Sequence, residues 1–433
     1  MGWCRGGTPG VLDLMSIRHV SATPILVILA VAVVAGQFTP APSLARNHPA
    51  IGYATAPVTD PIARLDARLR AGGTLAFDAE TGYLPALLAA LDVRVESQVL
   101  VFSKTSFQAA KIGPQNPRAL YFNDSVAVGW VRGGEVLELL GQDPRQGAIF
   151  YTLDQTRGRP PSITRADGKC LACHVSEATM NVPGAFVGSV FPSPNGTTRY
   201  GPAYTTDHRS PLEIRWGGWY VNGSHRAARH MGNAVAERAD DLGAMVTEAS
   251  VHVRSLEGRF DPASYLSRDS DIAALLVLEH QSHMANLITS AGWNGRLGAD
   301  AVRPLDGLIA DLVDYLLFVD EQPLPGPIAG PTAFARRFSA QGPFDSKGRS
   351  LRALDLRTRL LRVPCSYMID SEAFDALPPD VRQAIYARMW EILSGADRDD
   401  RYARLTPDDR TAIIEILRET KTDLPSVWAT PAG

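Results

Sequence analysis

Five consecutive residues, Cys170-Leu171-Ala172-Cys173-His174, carry the clearest chemistry in the chain. Two thiols two residues apart, with an imidazole directly after the second, can bind a metal, form a redox pair, or attach a porphyrin. In the last case the thiols add to two vinyl groups and the imidazole turns onto the iron. A structural zinc site needs four ligands, and Cys365 alone supplies no matching second pair. A thioredoxin-like pair needs its C-x-x-C at a helix start just after a strand, whereas Gly158, Pro160, Pro161 and Gly168 make residues 154–168 read as a polar, rigid loop. A plain disulfide is strained at this spacing and leaves His174 without a role. Covalent haem is the expectation.

With this motif the chain resembles c-type cytochromes. The resemblance implies one covalent haem c, thioether bonds from Cys170 and Cys173, and axial ligation of its iron by His174. Three further stretches, Ala119-Leu-Tyr-Phe-Asn-Asp124, Trp216-Gly-Gly-Trp-Tyr220 and Pro364-Cys-Ser-Tyr-Met368, are similar to a group of exported bacterial monohaem proteins of unassigned role. That second likeness implies no mechanism.

The position opposite His174 decides what such a haem can do. A thioether raises its potential, a second imidazole lowers it, and an open site admits small ligands or peroxide. Met231 and His230, side by side in Arg229-His-Met-Gly-Asn233, are two candidates. His280 and His283 are two more, because Leu276, His280, His283 and Leu287 share one inward face of a helix. Each has a plainer reading, as a solvated histidine, a core methionine or a hydrogen-bonded core histidine. Met180 lies too near His174 in sequence to reach across. With His208, His225 and His252 there are six histidines between positions 208 and 283, without an H-x-x-x-H or H-E-x-x-H pattern, so a second metal centre is a lesser alternative. Arg165, Lys169 and Arg199 are candidate partners for haem propionates. Cys365 reads as a small buried hydrophobe.

Haem attachment of this kind takes place outside the cytoplasmic membrane, and the N-terminus suits export. Arg18 and His19 precede an apolar run over residues 24–35 that small residues follow, as in a secretory signal. The run is short of the roughly 20 residues that span a bilayer. Cleavage after Ala45, behind Ser43 and Leu44, is expected, with an uncleaved inner-membrane tether through residues 20–36 as the alternative; Met15 reads as the initiator. The expected location is periplasmic or otherwise exported. Past Ala45 only three cysteines remain, an odd number that does not suit a disulfide scaffold. With 43 Lys+Arg against 46 Asp+Glu, nothing favours a nucleic-acid partner. A redox partner protein is expected instead.

The elements that must position the motif read as α+β. Helices are expected at 62–69 and 84–91, and strands at 93–102, 125–131, 135–140 and 148–153, with Gly133-Gly134 as a hairpin turn. Extended segments at 185–191 and 214–221 follow the motif. Helices are expected at 271–290, 301–320, 379–393 and 406–420, with a Pro-rich break at 323–331. The organisation expected is a leader to residue 45, an antiparallel-sheet region at 46–155, a haem-binding region at 156–232, and helical regions at 233–322 and 323–433. A β-rich first part packed with a mainly helical second part is not the small all-helical cytochrome fold. A simple electron carrier needs far fewer residues than this, so a haem redox enzyme or sensor with an open or displaceable sixth ligand stands as the alternative to electron transfer.

Overall fold

The structure, a computed structural model, describes residues 46–198, 200–225, 229–238, 245–330 and 332–429. The expected leader and Arg199 lie outside the described residues. Asp60 starts the first helix, α1 (Pro61–Arg70), by accepting from the Ile62 and Ala63 amides, and Pro61 occupies the turn where a missing N–H costs nothing. Helix α2 (Leu84–Ala90) follows.

Six strands come next before the motif is complete: β1 (Val99–Val101), β2 (Arg118–Phe122), β3 (Val126–Trp130), β4 (Val136–Asp143), β5 (Gly147–Asp154) and β6 (Ile163–Arg165). The motif helix is α3 (Asp167–His174), and after it come β7 (Val187–Phe191), β8 (Tyr200–Thr206), β9 (Trp219–Tyr220) and β10 (Ser224–His225). The main sheet has seven strands in the order β6-β5-β4-β3-β2-β1-β9, every pair antiparallel; β7 and β8 form a separate hairpin. The C-terminal part holds α4 (Glu248–Val251), α5 (Ile272–Leu297), α6 (Leu305–Leu316), β11 (Ile328–Ala329, paired with β10), α7 (Thr332–Ser339), α8 (Glu372–Asp375), α9 (Pro379–Leu393) and α10 (Pro407–Thr420). The protein is α+β and differs from a small all-helical cytochrome.

Strand alternation gives the main sheet two unlike faces. Tyr121, Val128, Leu139, Tyr151 and Leu153 join Ile62, Leu65, Leu84 and Leu87 of α1 and α2 in one core. On the other face Leu120, Ala127, Glu138 and Leu140 stay only half-buried, and α3 sits beside them. A second, larger core is built from α5, α6, α9 and α10. Helix α5 belongs to both: Ile272 to Ala291 lie in the larger core, Trp293 and Leu297 in the sheet's core. It is buried nearly all round, which is why it continues past residue 290, where the amphipathic pattern stops.

Several local expectations change: of the extended segment expected at 214–221 only β9 forms, and the break expected at 323–331 contains β11. Residues 93–102 yield only the three-residue strand β1, because Val95–Ser97 close a 3₁₀ turn ahead of it. The loop expected at 154–168 contains β6, whose Arg165 pairs with Tyr151. The helix expected at 301–320 is confined to Leu305–Leu316. Among the described residues no helix is long and apolar enough to cross a membrane.

Candidate haem-attachment site

Helix α3 follows β6 directly, so the motif stands on a helix after a strand and not at the end of a loop. That removes the sequence ground for setting a thioredoxin-like pair aside, and the thiols themselves have to decide. Cys170 and Cys173 lie one helical turn apart on one face and are free, Cys170 half-buried and Cys173 exposed. Burial first, then the carboxylates of Glu138 and Asp167, push the Cys170 thiol up to about 11. A redox pair needs a lowered thiol at the helix N-terminus. Cys170 is the fourth residue of its helix and is shifted the opposite way.

His174 closes the helix and is fixed at both its backbone and its ring. Its carbonyl accepts the Gly184 amide at 3.1 Å. Its Nδ1 lies 2.8 Å from the Gly184 carbonyl. A carbonyl only accepts, so Nδ1 carries the proton and Nε2 presents a lone pair. No described residue engages Nε2. The ring is held between Phe150, centroids 4.7 Å apart, and Phe186 at 5.7 Å. Burial is the main cause that lowers its pKa, with Arg118 adding to it against the Gly184 bond and Glu138, so the ring is held neutral.

The segment that supplies Gly184 is pinned from two sides. Ala148 of β5 donates to the Pro183 carbonyl at 3.0 Å, and Asn286 of α5 donates to the Ala185 carbonyl at 2.8 Å. Glycine at 184 leaves room for that contact: a Cβ there would clash with the Asn286 side-chain amide.

On this face of the main sheet buried Phe150 is followed by half-buried Leu140, Ala127 and Leu120, the last two packed against the larger core, and Gly129 leaves the surface low between Leu120 and Glu138. Glu138 is the one charge among these apolar positions of β4. It pairs with Arg118 at 2.6 Å and accepts from Ser106 and from Gln108, the latter at 2.8 Å. Between those two, Phe107 stands 47% exposed, with Lys169 of α3 5.6 Å from its ring centroid. A floor of apolar strand residues is thus flanked by α3 on one side and residues 106–108 on another. Gly184, Phe150, Phe186, Arg118 and Glu138 were not picked out from sequence. Only Glu138 left a signal there, as a lone charge interrupting the apolar run of its strand.

The candidates for the opposite axial position are placed elsewhere. His280 is fully buried, with Nδ1 2.8 Å from His208 Nδ1 and Nε2 2.7 Å from Ser366 Oγ, stacked on Tyr315. His283 Nε2 accepts from Arg209 at 3.0 Å, and its Nδ1 lies 3.6 Å from Asp207. Met231 is buried against Ser189 and Met245. His230, its neighbour, is buried against Trp216 and accepts the Gly232 amide on Nδ1. None of the four touches the His174 ring.

Of the propionate candidates, Arg165 bonds the Tyr53 carbonyl and pairs with Asp167, on the far face from Phe150. Lys169 lies over Phe107. Met180 caps a 3₁₀ turn in the left-handed conformation, and Cys365 is wholly buried, its thiol pushed up by burial. No group of three or more His, Cys, Asp or Glu that could hold a metal ion occurs among the described residues. No family model, curated protein or solved structure matches this chain.

Proposed function

We propose that this chain is an exported c-type cytochrome that holds one haem through Cys170 and Cys173, with His174 as axial ligand, and transfers electrons to a partner protein. The observation that carries the reading is His174 itself. Its Nδ1–H is committed to the Gly184 carbonyl and no described residue engages its Nε2 lone pair, in the same helix turn as two free thiols. Iron-ligating histidines are oriented by such a bond on the other nitrogen. The donor set, the neutral ring and the half-buried apolar floor beside it all suit a porphyrin. When bound, haem supplies one-electron chemistry at its iron. The chain's residues orient the imidazole, keep it neutral and shield one side of the site with Phe150 and Phe186. The leader read from residues 24–35 supports export.

A second reading, a haem that binds small ligands, is favoured by the placement of the four distal candidates. His280 is bonded on both ring nitrogens, His283 Nε2 is taken by Arg209, Met231 is buried against Ser189 and Met245, and His230 is buried against Trp216 with Nδ1 accepting the Gly232 amide.

The test is expression with a cytochrome c maturation system, followed by denaturing electrophoresis with haem staining and by a pyridine haemochrome spectrum. One haem per chain that stays attached on denaturation is expected, and is lost when both cysteines are replaced by alanine. A wild-type chain that matures without haem would overturn the proposal. A low-spin spectrum unaffected by CO selects the carrier, and a high-spin ferric form that binds CO when reduced selects the second reading.

A further inference from the structure

The Arg118–Glu138 pair lies on the sheet face beside α3, and both partners are largely covered, with side chains 16% exposed. Glu138 stands two residue pairs along the sheet from Leu140 and Phe150, on the same face, so it is the diagonal neighbour of the ring that flanks His174. It is close enough to raise the Cys170 thiol, and both charges act on His174. Four features fix the carboxylate in place: Arg118 Nη1, Ser106 Oγ, Gln108 Nε2 and the clearance that Gly129 leaves above it. Burial alone would push Glu138 up, but Arg118 and the two hydrogen bonds outweigh it and hold the carboxyl below its usual range. A buried charge of this kind is screened much less than a surface one.

We infer that Glu138 and Arg118 are positioning residues that set the reduction potential of a haem held at Cys170, Cys173 and His174, Glu138 favouring the ferric and Arg118 the ferrous state. The inference rests on the haem reading above. Loss of one electron leaves one more positive charge at the site, which a fixed carboxylate stabilises and a fixed guanidinium opposes. The pair together is nearly neutral, so each half reveals itself only when the other is removed. A pair that merely clamps residues 106–108 would lower stability in both variants without moving the potential in opposite directions.

The experiment is spectroelectrochemical titration of the matured protein and of Glu138→Gln and Arg118→Gln. Removal of the carboxylate should raise the midpoint, and removal of the guanidinium should lower it. Each shift is expected to approach a tenfold change in the ferric to ferrous ratio at a fixed applied potential, 59 mV for one electron. Shifts of the same sign, or none, overturn the inference while leaving the haem assignment standing. A wild-type chain without haem removes the assignment itself, so the two failures are distinguishable. If the glutamine variants do not mature, Glu138→Asp and Arg118→Lys keep the charges, and their midpoints should stay near that of the wild type. A tenfold shift in either of these overturns the inference equally.

Discussion

At the scale of single residues, the C-x-x-C-H spacing admits several chemistries, and the states of its three side chains separate them. A thiol at about 11 leaves a thiolate fraction on the order of 10⁻³ at pH 8, against roughly a quarter for an unperturbed cysteine near 8.5. In haem-free protein, iodoacetamide should therefore label exposed Cys173 before Cys170, and Cys170 labelling should rise about tenfold per pH unit up to pH 11. Peptide mass spectrometry over a time course measures both rates. Preferential labelling of Cys170 near neutral pH would return the redox pair to consideration. The motif was legible in sequence because it is contiguous. The partner that fixes the His174 tautomer is a backbone carbonyl ten residues on, and a backbone atom leaves no trace in residue types.

At the scale of elements, the site depends on three pieces that meet at Gly184: α3 contributes His174, β5 holds the Pro183 carbonyl, and α5 holds the Ala185 carbonyl through Asn286. Gly184→Ala should force Asn286 aside and destabilise the fold by about 1–3 kcal/mol, the usual range for overfilling a close-packed position. Urea denaturation of the haem-free variant and wild type gives that difference directly. A variant as stable as the wild type would show that Asn286 is not needed to hold the segment. Elements with local signals were read well from sequence: α9 occupies residues 379–393 as expected, and α10 begins after Thr406, whose hydroxyl and Asp409 form a capping box. Elements defined by partners were not. Strand β2 follows a polar segment and is identified by its pairing with β1 and β3, and β6 is three residues long and exists only as an edge of β5. The pair at His280 and His283 was expected inside on its helix face, and His280 is; what the face packs against, His208 and Ser366, is distant in sequence.

At the scale of the whole molecule, α5 connects the core under the sheet to the larger helical core, so what happens at its first turn is felt globally. Asp271 caps that turn by accepting the Ala273 amide on Oδ1, while Oδ2 is buried with no hydrogen-bond partner among the described residues. Burial is the main cause that lifts this carboxyl from 3.8 to about 7, with Asp269 adding to it against the backbone bonds. A carboxyl raised on folding binds its proton more tightly in the folded state. Its favourable contribution is complete below about pH 4, declines by up to about 1.4 kcal/mol per pH unit between 4 and 7, and is gone above 7. Asp271→Asn keeps an oxygen for the Ala273 amide and removes the titration. The variant should therefore melt higher than the wild type at pH 8, with the gap closing as the pH falls toward 4. Melting curves of both proteins across this range, followed by circular dichroism, isolate the group, because every other titrating residue is common to the pair. A gap that does not change with pH would mean that Asp271 is ionised in the folded state and that its orphan oxygen is satisfied by water.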